Sequence, residues 1–314
     1  MNTLDETVQK CLVCSSPQPK NIAAKTGKLN PAYIFKYFRC SVCGFCFIAN
    51  PNLDFERIYN KDYYEGNGLD KLVNYDHEIK YPDKTVRLYE WEGVLRNIQE
   101  LFANSSIINT HTPELEGVRW LDFGCGNGSL VRYINENTKA DCYGFDLGYG
   151  AEVGKSTFGI SILSEKELES QSSSFDVITA IEVFEHLADP METFLKIKHL
   201  LKPGGFLFYT TGNSYPFKDD LLKWSYSNVP EVHICFFEPK TIEIAAKTLK
   251  LEILKCGFQS GSTSIYKFKI LKSLGFRNRH FILDMLPWKL IAKIADKKFQ
   301  LTQFPILIKE KNEE

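Results

Sequence analysis

Two pairs of cysteines near the start of the sequence have the spacing of a metal site. Both pairs are C-x-x-C motifs, formed by Cys11 with Cys14 and by Cys40 with Cys43. Each motif places two thiolates on one tight turn, and four thiolates complete a tetrahedral shell around zinc with no position left open for catalysis. The spacing therefore predicts a structural zinc site with these four ligands. Free buried thiols are the alternative.

A glycine-rich stretch in the middle of the sequence is the strongest sign of ligand binding. Gly124, Gly126 and Gly128 lie between an apolar run typical of a strand and a run with helical spacing. Glycines at such a turn let a ligand approach backbone N–H groups without meeting a Cβ. The G-x-G-x-G spacing differs from the G-x-G-x-x-G of dinucleotide sites. Asp122 precedes the turn, and Asp146 ends the next predicted strand, where a carboxylate can accept both hydroxyls of a ribose.

These features follow one another in an order that is typical of one enzyme family. Besides Asp122 and the glycines, the matching segments are residues 143–147, 174–178, 182–187 and 200–205. Residues 118–257 resemble a class I S-adenosylmethionine-dependent methyltransferase. The resemblance implies an α/β fold with a Rossmann-like sheet of seven strands, mostly parallel with the last strand antiparallel, and S-adenosylmethionine as the cofactor.

The resemblance also implies how the glycine-rich turn meets the cofactor. Gly124 and Gly126 would line its methionine end, Gly128 would complete the motif, and Asp122 would meet its amino group.

Further residues are carried over for the nucleoside end of the cofactor. Asp146 would hold the ribose and Leu147 would pack on adenine. Relatives carry an adenine-binding Asp where this sequence has Ser164, so Glu165 is the expected substitute. Glu182, in an E-x-x-E-H segment, is expected beside the cofactor, although in relatives these glutamates can instead bind a divalent ion.

Two histidines are candidates for the chemistry. His186 follows the fourth predicted strand, and because ligands of parallel sheets bind at the carboxyl ends of the strands, it is the best candidate for a general base. Helix capping or packing is its alternative role. His233 follows the fifth strand and is placed on the acceptor side, with packing as the alternative. Glu182 completes the predicted catalytic set, and residues 213–224 are expected to contact the acceptor.

The elements that must position these residues divide the sequence into three regions. Residues 1–60 are expected to form the zinc ribbon, because a subset of the family carries such a ribbon followed by segments that residues 40–47, Pro51 and 59–64 match. Residues 61–117 form a helical connector. Residues 118–314 form the methyltransferase domain, with strands predicted at 119–125, 141–146, 160–163, 175–183, 205–211, 251–256 and 304–309. Helices are predicted to begin near Ser129, Tyr149, Pro190 and Pro239, with a turn at 202–205.

A helical insertion is predicted at about 258–303. Between Tyr266 and Lys298 it has nine Lys or Arg and two Asp, with Leu and Ile at helical spacing around Trp288. A lid helix packed on the domain is the favoured interpretation. Peripheral contact with a membrane surface or a polyanion is the alternative, since basic residues beside Trp and Leu suit an interface.

Composition limits the function classes. The 38 Lys and Arg against 39 Asp and Glu give a formal net charge of -1, so the whole chain has no electrostatic attraction for nucleic acid or anionic lipid. The first ten residues lack the basic-then-apolar order of a signal peptide, and we expect a cytoplasmic protein. The predicted function is methyl transfer to a small-molecule, carbohydrate or lipid-linked acceptor by in-line displacement.

Two other functions remain open at this point. One is an RNA-modifying enzyme whose ribbon binds nucleic acid, but residues 1–60 hold only seven basic residues against four acidic ones, so a nucleic-acid partner is disfavoured. The other is a non-catalytic scaffold that binds the cofactor only to fold. The acceptor atom, the oligomeric state and the pathway are not encoded in these patterns.

Overall fold

The computed structural model describes residues 8, 10–52, 54–69, 74–104, 114–254, 260–299 and 306–309. Ten β-strands lie within these ranges and are numbered in chain order. They are β1 (Lys20–Thr26), β2 (Ile34–Arg39), β3 (Cys46–Ile48), β4 (Arg119–Phe123), β5 (Asp141–Phe145), β6 (Phe175–Ile181), β7 (Leu201–Thr210), β8 (Cys235–Phe236), β9 (Leu251–Leu254) and β10 (Ile306–Lys309). The predicted last strand began at residue 304, and residues 304 and 305 lie outside the described ranges, as do residues 255 and 256 of the strand before it.

Twelve α-helices lie within the same ranges. They are α1 (Phe55–Ile58), α2 (Lys61–Tyr64), α3 (Tyr75–Lys80), α4 (Leu88–Asn104), α5 (Ser129–Asn137), α6 (Tyr149–Phe158), α7 (Glu165–Glu169), α8 (Pro190–Leu200), α9 (Pro239–Thr248), α10 (Ser260–Ser273), α11 (Phe281–Asp284) and α12 (Trp288–Phe299). All four predicted helix starts are confirmed, with a proline opening α8 and α9 where a missing N–H costs no hydrogen bond. Across the described ranges, none of the helices combines the length and the hydrophobicity that a bilayer span requires.

The larger sheet confirms the predicted Rossmann-like architecture. Its strand order is β5-β4-β6-β7-β10-β9. The first four strands pair in parallel, whereas β10 is antiparallel to both β7 and β9. The strand predicted at 160–163 is reduced to one parallel bridge between Ile162 and Gly144, on the outer edge of β5. It is short because Ser164 immediately caps α7, so the chain turns into a helix.

The predicted turn at 202–205 is wrong. Helix α8 ends at Leu200 and β7 begins at the next residue. The register of β7 against β6 is irregular between Leu201 and Phe206, so residues 202–205 lie within an irregular part of the strand. Gly204 has a φ of 74°, and a Cβ on Gly205 would lie 3.0 Å from the carbonyl oxygen of Lys202. The glycines therefore serve a bulged strand rather than an open turn.

The smaller sheet contains strands from two distant parts of the chain. Its order is β1-β2-β3-β8, all antiparallel, so the cysteine-rich N-terminal segment is completed by the two-residue strand β8. A single hydrophobic core runs from this sheet to the larger one and includes Tyr37, Phe45, Phe184, Tyr209 and Phe236. The N-terminal segment is therefore packed against the larger sheet over a shared apolar interface.

The predicted connector and insertion are held together by a close contact of two helices. Helix α4 meets α10 at Gly93 and Gly261, where a Cβ on either residue would lie 2.5 Å from the carbonyl oxygen of the other. The side chain of Asn97 donates to the Gly93 carbonyl at 2.8 Å. A small core around Tyr89 and Trp288 adds α12 to this pair. The insertion is helical, as predicted, and it packs on the connector.

We predict that Gly93→Ala destabilises the fold by about 1–3 kcal/mol, because the added methyl group forces the two helix backbones apart. The matched control is Gly150→Ala in α6, where the nearest atoms to the added Cβ lie at 3.5 Å and the change to alanine stabilises the helix by about 0.5–1 kcal/mol. Urea unfolding midpoints measure both effects. Equal midpoints for the two variants would contradict the proposed steric origin.

Candidate active site and metal centre

The glycine-rich turn follows β4. Its three glycines, at alternate positions, have a left-handed backbone conformation. Gly124, Gly126 and Gly128 have φ values of 75°, 56° and 69°. A residue with a side chain is strained in this region, so the turn needs glycine at all three positions. Gly128 precedes the first residue of α5, and a Cβ there would lie 2.1 Å from Ile160. The turn is therefore both tight and closely packed.

Asp146 lies against this turn, as the sequence predicts. One carboxylate oxygen accepts from the N–H of Gly126 at 2.8 Å and the other from the N–H of Gly148 at 2.6 Å. Burial raises the pKa of Asp146, and these backbone hydrogen bonds oppose that rise. The next residue, Leu147, is 78% exposed. An apolar side chain this exposed beside a fixed carboxylate is available to cover a planar ligand.

Asp122 is buried at the end of β4. Its carboxylate accepts from the hydroxyl of Thr179 at 2.8 Å, and the indole of Trp120 donates to that hydroxyl at 3.0 Å. Burial raises the pKa of Asp122 to about 7. A carboxyl in this state gains most from a cationic ligand, which would compensate its desolvation.

A cleft beside Asp122 contains residues that the sequence reasoning did not assign to a site. It is lined by the glycine-rich turn on one side and by Glu78, Arg87 and Glu90 on the other. Arg87 is paired with Glu90 at 2.8 Å and with Glu78 at 3.4 Å. Among the described residues, Arg87 Nε and Glu90 Oε1 are buried without a hydrogen-bond partner. The cleft thus holds buried groups of both charges, and two of their polar atoms have no hydrogen-bond partner that would compensate their desolvation.

Tyr75 narrows the crevice from the side of α3. A Cβ on Gly126 would lie 2.8 Å from the Tyr75 hydroxyl, so the ring lies directly over the turn. The Asn127 amide donates to Glu78 at 3.3 Å and fixes the same helix to the turn. Helix α3 thus covers the glycine-rich turn, and its residues Tyr75 and Glu78 form part of the lining of the cleft. No motif marks α3, since its place follows from tertiary packing.

Glu182 stands at the end of β6 with a strained backbone. Its φ is 56°, a value that a non-glycine residue rarely adopts. Its carboxylate accepts from Thr210 at 2.8 Å, from Tyr226 at 2.5 Å and from Lys269 at 3.0 Å. Burial alone would raise the pKa of Glu182, but the Lys269 charge and these hydrogen bonds hold it well below its usual range.

Glu185 has the opposite protonation tendency. It accepts from Thr211 at 2.9 Å, while its Oε1 is buried with no hydrogen-bond partner in the described part of the chain. Burial and the neighbouring Glu182 charge raise the pKa of Glu185 well above its ordinary value. The pKa values of the two neighbouring glutamates are therefore shifted in opposite directions. Among the described residues, neither belongs to a group of three or more His, Cys, Asp or Glu able to hold a metal ion.

The two predicted histidines lie side by side, with ring centroids 5.0 Å apart. His186 Nδ1 is 2.8 Å from the Val232 carbonyl, and His233 Nδ1 is 3.0 Å from the Tyr226 carbonyl. A carbonyl oxygen only accepts, so Nδ1 donates in both rings and the neutral imidazoles carry their lone pair on Nε2. His233 also stacks on the Tyr226 ring at 4.2 Å. Tyr226 thus connects His233 to Glu182.

The remaining predicted contact residues are distributed differently. Glu165 is exposed at the first position of α7, and it is not among the residues that line the cleft. Its role toward adenine stays a prediction. In segment 213–224, Trp224 stacks between Phe217 and Tyr226, and the Lys218 carbonyl accepts from Arg39 at 3.0 Å. This segment therefore lies between the histidine pair and the smaller sheet.

The four predicted zinc ligands converge. All four sulfur atoms lie within 4.8 Å of one another, with Cys11 and Cys43 3.6 Å apart and Cys14 and Cys40 3.5 Å apart. Sulfur atoms around a tetrahedral zinc with Zn–S bonds of about 2.3 Å are separated by about 3.8 Å, so the donor set fits a closed zinc site. The N–H groups of Val13 and Val42 donate to Cys11 and Cys40 at 3.4 Å each.

Comparison with known proteins identifies relatives of this chain. A family model described as a methyltransferase domain matches residues 86–255. A ubiquinone biosynthesis O-methyltransferase from Idiomarina loihiensis is 32% identical over 180 residues, which cover 54% of this chain and 72% of that protein.

Two further matches are more limited in extent. The protein of the same description from Aliivibrio fischeri is 30% identical over 146 residues, covering 43% of this chain and 61% of the relative, so the chain spans less than two thirds of that relative's length. A solved S-adenosylmethionine-dependent methyltransferase from Mesorhizobium loti superposes with a TM-score of 0.42 at 14% identity, covering 68% of this chain and 96% of that one.

We predict that the purified protein contains about one zinc ion per chain, bound by the four thiolates. Cys14→Ala is expected to lose the metal, because three thiolates leave the tetrahedral shell open. Cys46→Ala is the matched control, since Cys46 is buried in β3 and lies outside the metal-binding group. Elemental analysis with thiol titration measures the outcome. Metal-free wild-type protein with four titratable thiols would refute the site.

Proposed function

The chain belongs to the methyltransferase family whose domain model matches residues 86–255, and from this membership we propose that it transfers a methyl group from S-adenosylmethionine to a hydroxyl oxygen of a small-molecule, carbohydrate or lipid-linked acceptor. The curated relatives described as O-methyltransferases support oxygen as the acceptor atom.

One observation carries the proposal, namely the distribution of charge in the cleft beside the glycine-rich turn. Asp122 and Glu90 are carboxyl groups on two sides of this cleft, and the Arg87 guanidinium between them forms salt bridges with Glu90 and Glu78. The amino-acid end of S-adenosylmethionine carries an ammonium and a carboxylate, which these groups complement. Buried charges of both signs are costly without such a partner.

The residues of the site divide into those that would hold each part of the cofactor. Asp122 would bind the ammonium group and Arg87 the carboxylate. Asp146, already oriented by the N–H groups of Gly126 and Gly148, would accept from the ribose hydroxyls. When bound, S-adenosylmethionine supplies the methyl group for in-line displacement, so the protein chiefly has to align the acceptor and exclude water.

The acceptor hydroxyl must lose its proton, and His186 is the proposed base. Its Nδ1–H donates to the Val232 carbonyl, so the lone pair that would take the proton lies on Nε2. His233 has the same tautomer and lies beside it. Glu182 keeps Tyr226 in place through its hydroxyl, and Tyr226 in turn supports the His233 ring. We therefore assign Glu182 and Tyr226 positioning roles.

We predict that the affinity for S-adenosylhomocysteine falls as the pH drops below 7. A protonated Asp122 cannot pair with the ammonium group, and its pKa in the free protein is about 7. The dissociation constant should therefore rise toward about tenfold per pH unit below 7 and level off above it. Calorimetric titrations between pH 6 and 7.5 measure the slope.

Asp122→Asn is the control for this titration, because it keeps the shape of the side chain and removes the titrating group. It should bind more weakly and with no slope over the same range. An identical slope in wild type and Asp122→Asn would show that another group is responsible.

We predict that His186→Ala lowers turnover by about 10²- to 10⁴-fold through loss of the general base, while the affinity for S-adenosylhomocysteine stays unchanged. Release of S-adenosylhomocysteine across a panel of hydroxyl-bearing aromatics and sugars measures turnover. The matched control is His199→Ala, an exposed histidine on α8.

Two outcomes would decide against parts of this proposal. Wild-type turnover by His186→Ala would remove the base assignment. A wild-type protein that binds S-adenosylhomocysteine but methylates nothing in the panel would favour the non-catalytic scaffold.

A further inference from the structure

The exposed apolar side chains of this protein are concentrated in one short segment. Of the eighteen large hydrophobic residues that are exposed among the described residues, eight lie between positions 274 and 294. These eight are Leu274, Phe276, Phe281, Ile282, Met285, Leu286, Leu290 and Ile294. Scattered exposed apolar residues are ordinary, but a concentration of this kind marks an interaction surface. We call these eight residues the apolar patch.

The helices beneath the patch are anchored by their other faces. On α12, Trp288, Ala292 and Ala295 are buried, whereas Leu290 and Ile294 face outward. Trp288 belongs to the core formed with α4 and α10. The predicted lid helix is therefore packed on the domain through one face, and the apolar residues of its opposite face are not needed for that packing.

The greatest exposure is found at α11. Phe281 is 71% exposed and Met285 is 80% exposed. Phenylalanine is large and aromatic, and methionine is large and flexible. Transfer of either side chain from water into an acyl layer is favourable in free energy. A position at the tip of a short helix allows such side chains to enter a bilayer interface without moving the domain.

The charges interspersed with the patch are positive. Lys289 and Lys293 are exposed on α12, and Arg277 is exposed before α11, with no ion pair to any of these three among the described residues. Asp284, an acidic residue of this surface, is neutralised by a salt bridge to Lys267 and a hydrogen bond from Tyr89. The surface thus presents apolar side chains among unneutralised cations.

From this combination we propose that the apolar patch is a peripheral docking surface for a lipid bilayer with anionic headgroups. Apolar side chains bordered by Lys and Arg match the acyl layer and the negative headgroups of such a bilayer at the same depth. A protein partner would need acidic groups around a separate apolar groove, whereas an anionic bilayer supplies both features over any area.

The docking surface borders a second cleft that has the same chemical character. The lining of this cleft includes Phe268, Lys272, Phe276 and Arg277. Phe276 belongs to the patch, and Arg277 is one of its cations. The Arg87 side chain lines this cleft as well as the cleft beside the glycine-rich turn. Docking would therefore place the opening of a cationic cleft at the level of the headgroups, next to the proposed cofactor site.

Flotation with vesicles of phosphatidylcholine containing phosphatidylglycerol, or of phosphatidylcholine alone, tests the proposal on the full chain. We expect binding to the anionic vesicles at low salt, little binding to the neutral ones, and weakening at high salt. The double variant Phe281→Asp with Met285→Asp should reduce partitioning at least about tenfold. Lys289→Glu and Lys293→Glu should each reduce it by about fivefold or more.

Leu195→Asp is the matched control, because Leu195 is an exposed apolar residue on α8, outside the patch. It should bind vesicles as the wild type does. Unchanged affinity of every variant for S-adenosylhomocysteine shows that the fold is intact, independently of membrane binding.

Three results would overturn the proposal. The first is no flotation with anionic vesicles at low salt, and the second is equal loss in Leu195→Asp and the double variant. The third is a vesicle-free dimer, seen by light scattering, that the Phe281→Asp and Met285→Asp changes dissociate. This last result would identify the patch as an interface between two copies of the chain.

Discussion

The five-residue segment 232–236 connects the four-cysteine region to the histidine pair through backbone hydrogen bonds. On one side, β8 pairs with β3, and the N–H of Ile48 donates to the Ile234 carbonyl at 2.9 Å. On the other side, the N–H of Ile234 donates to the Glu185 carbonyl at 2.8 Å, and the Val232 carbonyl accepts a hydrogen bond from Nδ1 of His186. Every backbone group used here is buried, so the bonds cannot be exchanged for bonds to water. The position of His233 within this segment follows from the strand that the cysteine-rich region supplies.

This arrangement gives the N-terminal four-cysteine region a physical role beyond its own stability. The N-terminal end of α9 is fixed to the metal-binding turn, because Thr241 donates to the Cys43 carbonyl at 2.9 Å and Glu238 forms a salt bridge with Arg39. Gly44 permits this approach, since its φ is 77° and a Cβ there would collide with Glu238. A small region with four thiolates can form a rigid strand pair that a short apolar segment of this size could not form alone. The ribbon thus acts as a template for the edge of the proposed acceptor site.

The sequence predicts the local features of this protein well and the long-range ones poorly. The glycine turn, Asp146 and the four cysteines could be found because each depends on residues a few positions apart, whose spacing reflects a backbone requirement. Arg87 gave no such signal, because it directly precedes α4 and reaches the cleft only through the packing of that helix near a turn 37 residues later in the chain. Strand β8 was likewise not predicted, since a strand of two residues has no periodicity.

The charge of the site also bears on which form of the cofactor it would bind more tightly. Five carboxyl groups, from Glu78, Glu90, Asp122, Glu182 and Glu185, lie near two cations, Arg87 and Lys269, and the excess contributes to the raised pKa values of Asp122 and Glu185. S-adenosylmethionine has a net charge of +1 because its sulfonium and ammonium outweigh its carboxylate, whereas S-adenosylhomocysteine is neutral overall. A site with surplus negative charge in a poorly solvated cleft therefore favours the methyl donor over the spent product. The same electrostatic imbalance that makes the empty cleft costly to bury thus supports both cofactor capture and product release.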